Sequence, residues 1–263
     1  MKRKLQALIV LLLLGAVRLP VEQFVTQYYR TTGLLSAPLS LGLRENLSQM
    51  GFAASLGGLR SLVATITYLR AYREWENVNW AKVDSLMQLT TSLQPRFQNY
   101  WDEASWHMAY NAASSYLYDE KIEPMVRGKL YEEHVQRGIN ILKEGLRYLP
   151  DEIRLWNSLA EIYERRSHEP KLAAEAYLEV YRLSRNDRYA RFAAYQYAQT
   201  ADPLLWRKAY DLLRASYEKK QRTPSLIENL KTLEQRLNIP YPQRIPDSNK
   251  PMEISPIEQG PVR

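Results

Sequence analysis

The feature that most constrains the fold is a run of small and aromatic residues between residues 138 and 181. The small residues are Gly138, Gly145, Ala160 and Ala173, and the large rings between them are Trp156, Tyr163 and Tyr177. Small residues let two antiparallel helices approach closely, while the rings fill the space between neighbouring helix pairs. The run therefore predicts stacked helical hairpins, and it carries no catalytic pattern.

The order of residues in this run matches a known repeat. In chain order the matching residues are Trp156, Leu159, Ala160, Tyr163, Ala173 and Tyr177. They follow the tetratricopeptide (TPR) pattern, with alanine in place of its glycine and tyrosine in place of its phenylalanine. Pro150 precedes Trp156 by six residues, as Pro95 precedes Trp101, and this indicates a second unit. The two prolines lie 55 residues apart, against about 34 in the usual repeat, so we expect an insertion at residues 119 to 127.

These signals predict an all-α protein, a TPR-like helical-hairpin solenoid over residues 50 to 237. The predicted helices span residues 55–75, 98–118, 130–148, 188–199 and 203–218. A further helix at 224–237 carries four leucines and is expected to cap the last hydrophobic face. Six prolines follow between residues 240 and 261, so the segment 238–263 is predicted to be a disordered, proline-rich tail.

The N-terminus has the pattern of an export signal. Residues 2 to 4 are basic and residues 5 to 17 are apolar and rich in leucine. We expect residues 1–24 to be an uncleaved signal anchor forming a transmembrane helix, followed by a membrane-proximal connector at 25–49; a cleaved signal peptide is the alternative. The positive-inside rule then places the body outside the cytoplasm, as in a single-pass protein of the bacterial inner (cytoplasmic) membrane.

Composition excludes several kinds of chemistry. The chain has no cysteine, which rules out disulfides and thiolate metal sites. Its net charge of +7 is interleaved along predicted helices, which favours solvated helix faces over a nucleic-acid surface. The three histidines lack metal-ligand spacing. We therefore predict no catalytic, cofactor-binding or metal-binding residues; an enzyme would need a closed polar pocket around His107 or His134.

The first helix of each predicted pair should line a groove. Its register predicts the partner-binding residues Tyr68, Tyr72, Trp75, Asp102, Trp106, Tyr110, Asn157, Glu161 and Arg165. This set would give the groove an aromatic end and a polar, charged end, and Tyr, Trp and Arg dominate binding energy at protein interfaces. The alternative is that Trp106 and Tyr110 pack against the insertion and belong to the core.

Several segments carry a resemblance to a known family. They are residues 56–64, 68–71, 93–97, Trp101 and 106–111. Over about residues 44 to 200 the chain resembles a family of bacterial membrane-anchored TPR-like proteins of uncharacterised function. The resemblance implies a helical scaffold and no catalytic residues. The chain departs from the pattern in the insertion after Tyr118 and in the pair at 188–218, which has no tryptophan at the usual position.

Together these features predict a non-enzymatic, membrane-tethered scaffold outside the cytoplasm. Its expected partners are other proteins of a cell-envelope complex, with the membrane bound through the N-terminal helix and no nucleic acid or metal bound. Tethering raises the effective concentration of such a scaffold near its partners. The alternative is an accessory factor of cell-surface polymer synthesis or secretion, whose groove would hold a peptide or a glycan.

Overall fold

The computed structural model describes residues 24–25 and 59–246. All the regular secondary structure in these residues is helical. Its elements are α1 (Arg60–Glu76), α2 (Trp80–Leu93), α3 (Gln98–Trp106), a π-helix (His107–Ala112), α4 (Ala113–Leu117), α5 (Pro124–Tyr148), α6 (Ile153–Arg165), α7 (Pro170–Ser184), α8 (Asp187–Ala198), α9 (Pro203–Glu218), α10 (Pro224–Arg236) and a short 3₁₀ turn (Tyr241–Gln243). No strand is found among the described residues. The predicted all-α class is confirmed.

Almost all of the predicted anchor and connector lie outside the described residues, apart from a helical pair at residues 24–25. Across 24–25 and 59–246, none of the helices combines the length and the apolar character that a bilayer crossing requires.

The helix boundaries follow from local chemistry. Helices α5, α7, α9 and α10 all begin with a proline, which lacks the N–H that would go unpaired in a first turn. The side chains of Asn186 and Asp202 accept hydrogen bonds from the backbone N–H groups two residues on, at 3.1 and 2.9 Å, and so cap α8 and α9. Helix α7 ends where Arg185 adopts a left-handed conformation, with φ of 57°.

Successive helices pack in pairs around one main hydrophobic core, with a second, smaller cluster formed by Val63, Ala64, Leu89, Leu93 and Tyr100. Helix α1 packs on α2, the α3 to α4 segment on α5, α6 on α7 and α8 on α9, while α10 closes against α8 and α9. The aromatic and small residues of the repeat pattern lie inside this core: Leu159, Ala160 and Tyr163 of α6 meet Ala173 and Tyr177 of α7, and all five are buried.

Three tryptophans stabilise the first turn of a helix through the same hydrogen bond. Trp101, Trp156 and Trp206 are each the fourth residue of a helix. Each indole N–H donates to the carbonyl oxygen six residues earlier, at 2.8, 2.8 and 2.7 Å. This bond explains the six-residue spacing of proline and tryptophan. The first helix of the pair at 188–218 has no tryptophan. Trp206 makes the same bond from the second helix of that pair, to the carbonyl oxygen of Thr200.

Two predicted boundaries are wrong. Helix α5 begins at Pro124, so the second half of the predicted insertion at 119–127 is helical, because proline fits the first turn of a helix. The predicted disordered tail also begins too early. Ile239 and Ile245 are buried in the core, and the Ile245 N–H donates to Glu234 Oε1 at 2.7 Å. Residues 247–263 of the tail lie outside the described residues.

Candidate functional site

An aromatic patch is formed by Tyr72 and Trp75 of α1 with Trp106 and Tyr110 of the next helical segment. The rings of Trp106 and Tyr110 stack with centroids 4.3 Å apart, and those of Tyr72 and Trp75 lie 5.1 Å apart. Trp106 is 52% exposed and Tyr72 is 49% exposed. The core interpretation is therefore wrong for Trp106, whereas Tyr110 is half-buried and packs against the core.

Two irregular backbone features lie beside this patch: the positive φ of Val78 and the π-helix. A depression of about 630 Å³ separates the turn between α1 and α2 from the π-helix, and Trp75, Trp80 and Tyr110 line it. Val78, also in its wall, has a positive φ of 57°, which is costly for a β-branched residue. Among the described residues no acceptor meets the buried indole N–H of Trp80. Strained backbone and π-helices occur often at functional sites.

Two of the predicted groove residues form bonds between helices. The Tyr68 hydroxyl donates to Glu103 Oε2 at 2.5 Å, and burial, followed by this bond to a carboxylate, raises the pKa of Tyr68 to about 12. Asp102 accepts from Arg154 Nε at 2.6 Å and from Ser158 Oγ at 2.5 Å, which ties α3 to α6. Tyr68 and Asp102 therefore hold the scaffold together rather than presenting free polar groups.

A polar pocket of about 440 Å³ lies between α6, α8 and α10. Its lining residues are Asn157, Glu161, Glu164, Arg165, Tyr177, Arg188, Tyr189, Phe192, Tyr195, Gln196, Gln199 and Asn229. The two carboxylates of the pocket, Glu161 and Glu164, each accept a hydrogen bond from another lining residue. Asn157 donates to Glu161 at 2.9 Å, and the Tyr177 hydroxyl donates to Glu164 at 2.5 Å. Burial, and then this bond, raises the pKa of Tyr177.

The two arginines of the polar pocket, Arg165 and Arg188, do not pair with its carboxylates. Arg165 and Arg188 are exposed, and neither guanidinium has a carboxylate partner among the described residues. The Arg188 guanidinium lies 5.0 Å from the centre of the Phe192 ring. Gln196 is only 4% exposed, yet its amide reaches the pocket wall without a hydrogen bond from the described part of the chain. The pocket therefore holds two arginines without a carboxylate partner among the described residues, beside the amide of Gln196.

Tyr110 of the aromatic patch lies near two charged residues of the polar pocket. Burial raises the pKa of Tyr110, and Glu161 and Arg165 are the charges that act on its hydroxyl most strongly. Both charged residues also line the polar pocket and act on Tyr177. We call the patch and the pocket together the groove. It includes the predicted residues Tyr72, Trp75, Trp106, Tyr110, Asn157, Glu161 and Arg165, whose role in binding stays a prediction.

The sequence interpretation missed the contribution of α8 to the groove. Arg188, Tyr189, Phe192 and Gln196 all come from this helix, and positions 189, 192 and 196 follow the three- and four-residue spacing of one helix face. The register used for Asn157 and its neighbours could have been extended to this helix. The absence of tryptophan from α8 concealed the correspondence.

The described residues contain no group of three His, Cys, Asp or Glu side chains that could hold a metal ion. His107 lies beside Trp75, with ring centres 5.8 Å apart, and burial lowers its pKa. No model of a known protein family matches the chain, and no curated protein matches it.

Proposed function

We propose that this protein is a TPR-like scaffold, tethered to a membrane by its N-terminus, whose groove binds an extended segment of a partner protein. The proposed role is binding rather than catalysis. The repeat assignment is supported by the pairwise packing of successive helices and by the buried pattern residues of α6 and α7. Stacked helical hairpins of this kind create extended binding surfaces.

The observation that carries the proposal is the Gln196 amide. The Gln196 side chain lines the polar pocket, and no hydrogen bond joins its amide to the described part of the chain. Its NH₂ group donates and its oxygen accepts, which matches the adjacent C=O and N–H of a peptide main chain. A peptide lying across the pocket would supply both partners at once.

The rest of the groove suits a peptide with mixed side chains. The rings of Tyr189 and Phe192 offer apolar surface beside the amide, while Arg165 and Arg188 can pair with acidic groups. The exposed Trp106 offers a further aromatic side chain in the aromatic patch. Aromatic residues and arginine contribute most to binding at interfaces, since they bury a large area at low entropic cost.

A selection of random twelve-residue peptides displayed on phage tests the proposal, using the full chain in detergent micelles. We expect enriched sequences that bind the groove. Gln196→Leu should weaken the best synthetic peptide by about tenfold, because a lost hydrogen bond in a desolvated site is worth about 1.4 kcal/mol. Fluorescence anisotropy measures the affinities.

Gln88→Leu is the matched control, because Gln88 is an exposed glutamine on α2, away from the groove. It should leave the affinity unchanged. No enriched peptide, or equal losses from Gln196→Leu and Gln88→Leu, would contradict peptide binding in this pocket. Binding of oligosaccharides from a glycan array, with no peptide enriched, would replace the proposal with the polymer-synthesis alternative.

The proposed location rests on the basic residues 2 to 4 ahead of the apolar run 5 to 17. A reporter enzyme that is active only outside the cytoplasm, fused after residue 263, should be active and should sediment with the membrane fraction. Activity in the soluble fraction would indicate a cleaved signal peptide. An inactive reporter, at normal protein level, would contradict export.

A further inference from the structure

We infer that the polar pocket is the binding site of the chain's own C-terminal tail, which enters it with the segment at residues 251–253. The inference rests on the proposed function, because it names the kind of peptide that the same pocket selects. The ligand class is an extended peptide in which proline is followed by an aliphatic and then an acidic residue.

The tail carries this motif as a short repeat. Proline, an aliphatic residue and a charged residue follow one another at 251–253, at 256–258 and at 261–263. The first two units read Pro-Met-Glu and Pro-Ile-Glu, and the third ends on arginine. A repeated pattern in a segment without core-forming composition is typical of a linear binding motif.

The chemistry of the pocket is complementary to Pro-Met-Glu. Arg165 and Arg188, for which residues 59–246 supply no carboxylate partner, can pair with Glu253. The rings of Tyr189 and Phe192 can pack against proline and methionine. The Gln196 amide can bond the peptide main chain. Proline-containing segments lose little conformational entropy on docking against aromatic side chains, which favours this use of the tail.

The tail leaves the described structure close to the pocket. The Ile245 N–H bonds to Glu234 of α10, and Asn229 of the same helix lines the pocket. Five residues of helix span about 7.5 Å along the axis, and a helix is about 10 Å across. Residues 246 to 251 can extend by about 16 Å, so Pro251 can reach the pocket within the same molecule.

An intramolecular ligand on so short a connection has an effective concentration of about millimolar. A weak motif would therefore fill the pocket in the free protein. Partner segments would displace it only if they bound better, so occupancy by the tail would raise the affinity that a partner needs.

Disulfide trapping tests the contact, since the chain contains no cysteine and one introduced pair reports one contact. In full-length protein, Gln199→Cys on the pocket wall combined with Ile254→Cys in the tail should form a disulfide at least about tenfold faster than Gln88→Cys with Ile254→Cys. The product should run as a monomer on a non-reducing gel. Equal rates for the two pairs, or a dimeric product, would overturn the inference.

A charge exchange tests the recognition itself. Glu253→Arg should slow trapping at residue 199 by about fivefold, and adding Arg188→Glu should restore it, because opposite charges then face each other again. If neither substitution changes the rate of disulfide formation, recognition of the tail through Glu253 and Arg188 would be contradicted. If library peptides bind but the tail is not trapped, only the tail assignment is wrong. If neither binds, the proposed function fails as well.

Discussion

Trp101→Ala is expected to lower the free energy of unfolding by about 3–5 kcal/mol, because it removes a large, fully packed ring. The side chain is 2% exposed and stacks on Tyr148 with ring centres 5.9 Å apart. Its indole also satisfies the Pro95 carbonyl. Urea unfolding of the full chain in detergent, followed by circular dichroism at 222 nm, measures the change.

Trp106→Ala is the matched control, since this second tryptophan lies five residues further along the same helix and is 52% exposed. We expect it to cost less than about 1 kcal/mol, as substitutions at exposed positions usually do. Trp101→Phe should fall between the two, because it keeps most of the ring and leaves the Pro95 carbonyl without its donor. Equal losses for Trp101→Ala and Trp106→Ala would contradict the packing described.

The helical pairs could be predicted because their signals are local. The spacing of Trp156, Leu159, Ala160 and Tyr163 places all four on neighbouring positions of one helix, and an apolar stripe of this kind must be covered by another element. The prolines that open α5, α7, α9 and α10 act within a single turn. Features of this kind depend on residues that are close in the chain, so a single sequence contains them.

Other features depend on contacts between distant residues. The π-helix at His107–Ala112 has no local composition that distinguishes it from α-helix. Ile245 donates its backbone N–H to the carboxylate of Glu234 and is buried in the hydrophobic core. Proline content alone predicted disorder there, because the bond partner lies eleven residues away and comes from a folded helix.

The groove residues also depend partly on local sequence and partly on contacts between distant residues. Helix register predicted Trp106, Glu161 and Arg165 as residues of one surface. It could not distinguish them from Asp102, whose carboxylate is taken by Arg154 and Ser158 of α6. The position of the Gln196 amide in the pocket wall, on which the proposed function depends, follows from the packing of three helices and has no counterpart in the sequence pattern.

Arg166 connects the scaffold to the groove. Its guanidinium donates to the Ala109 carbonyl at 3.0 Å and to Ser114 Oγ at 2.8 Å. It also lies 5.0 Å from the ring centres of Tyr110 and Tyr131. The end of α6 is thereby fixed to the π-helix and to α5, so the position of the aromatic patch depends on how closely α5 approaches the π-helix.

That approach depends on Gly138, and we expect Gly138→Ala to destabilise the protein by about 2–3 kcal/mol through overpacking. A Cβ atom at this position would lie 2.6 Å from the Ala109 Cβ and 2.9 Å from the Ser105 carbonyl oxygen. Neither is the end of a flexible side chain, so the helices must separate. Separation would also shift Tyr110, and the affinity for a selected peptide should fall together with the stability.

Gly128→Ala, in the same helix, provides the control. A Cβ atom there meets nothing within 4 Å, and alanine favours a helix over glycine by up to about 1 kcal/mol. The two Gly→Ala changes should therefore have opposite signs in urea unfolding: a loss at residue 138 and a neutral or positive effect at residue 128. A neutral Gly138→Ala would mean that α5 and the π-helix are not in close contact, and the groove would then lack the support on which its geometry depends.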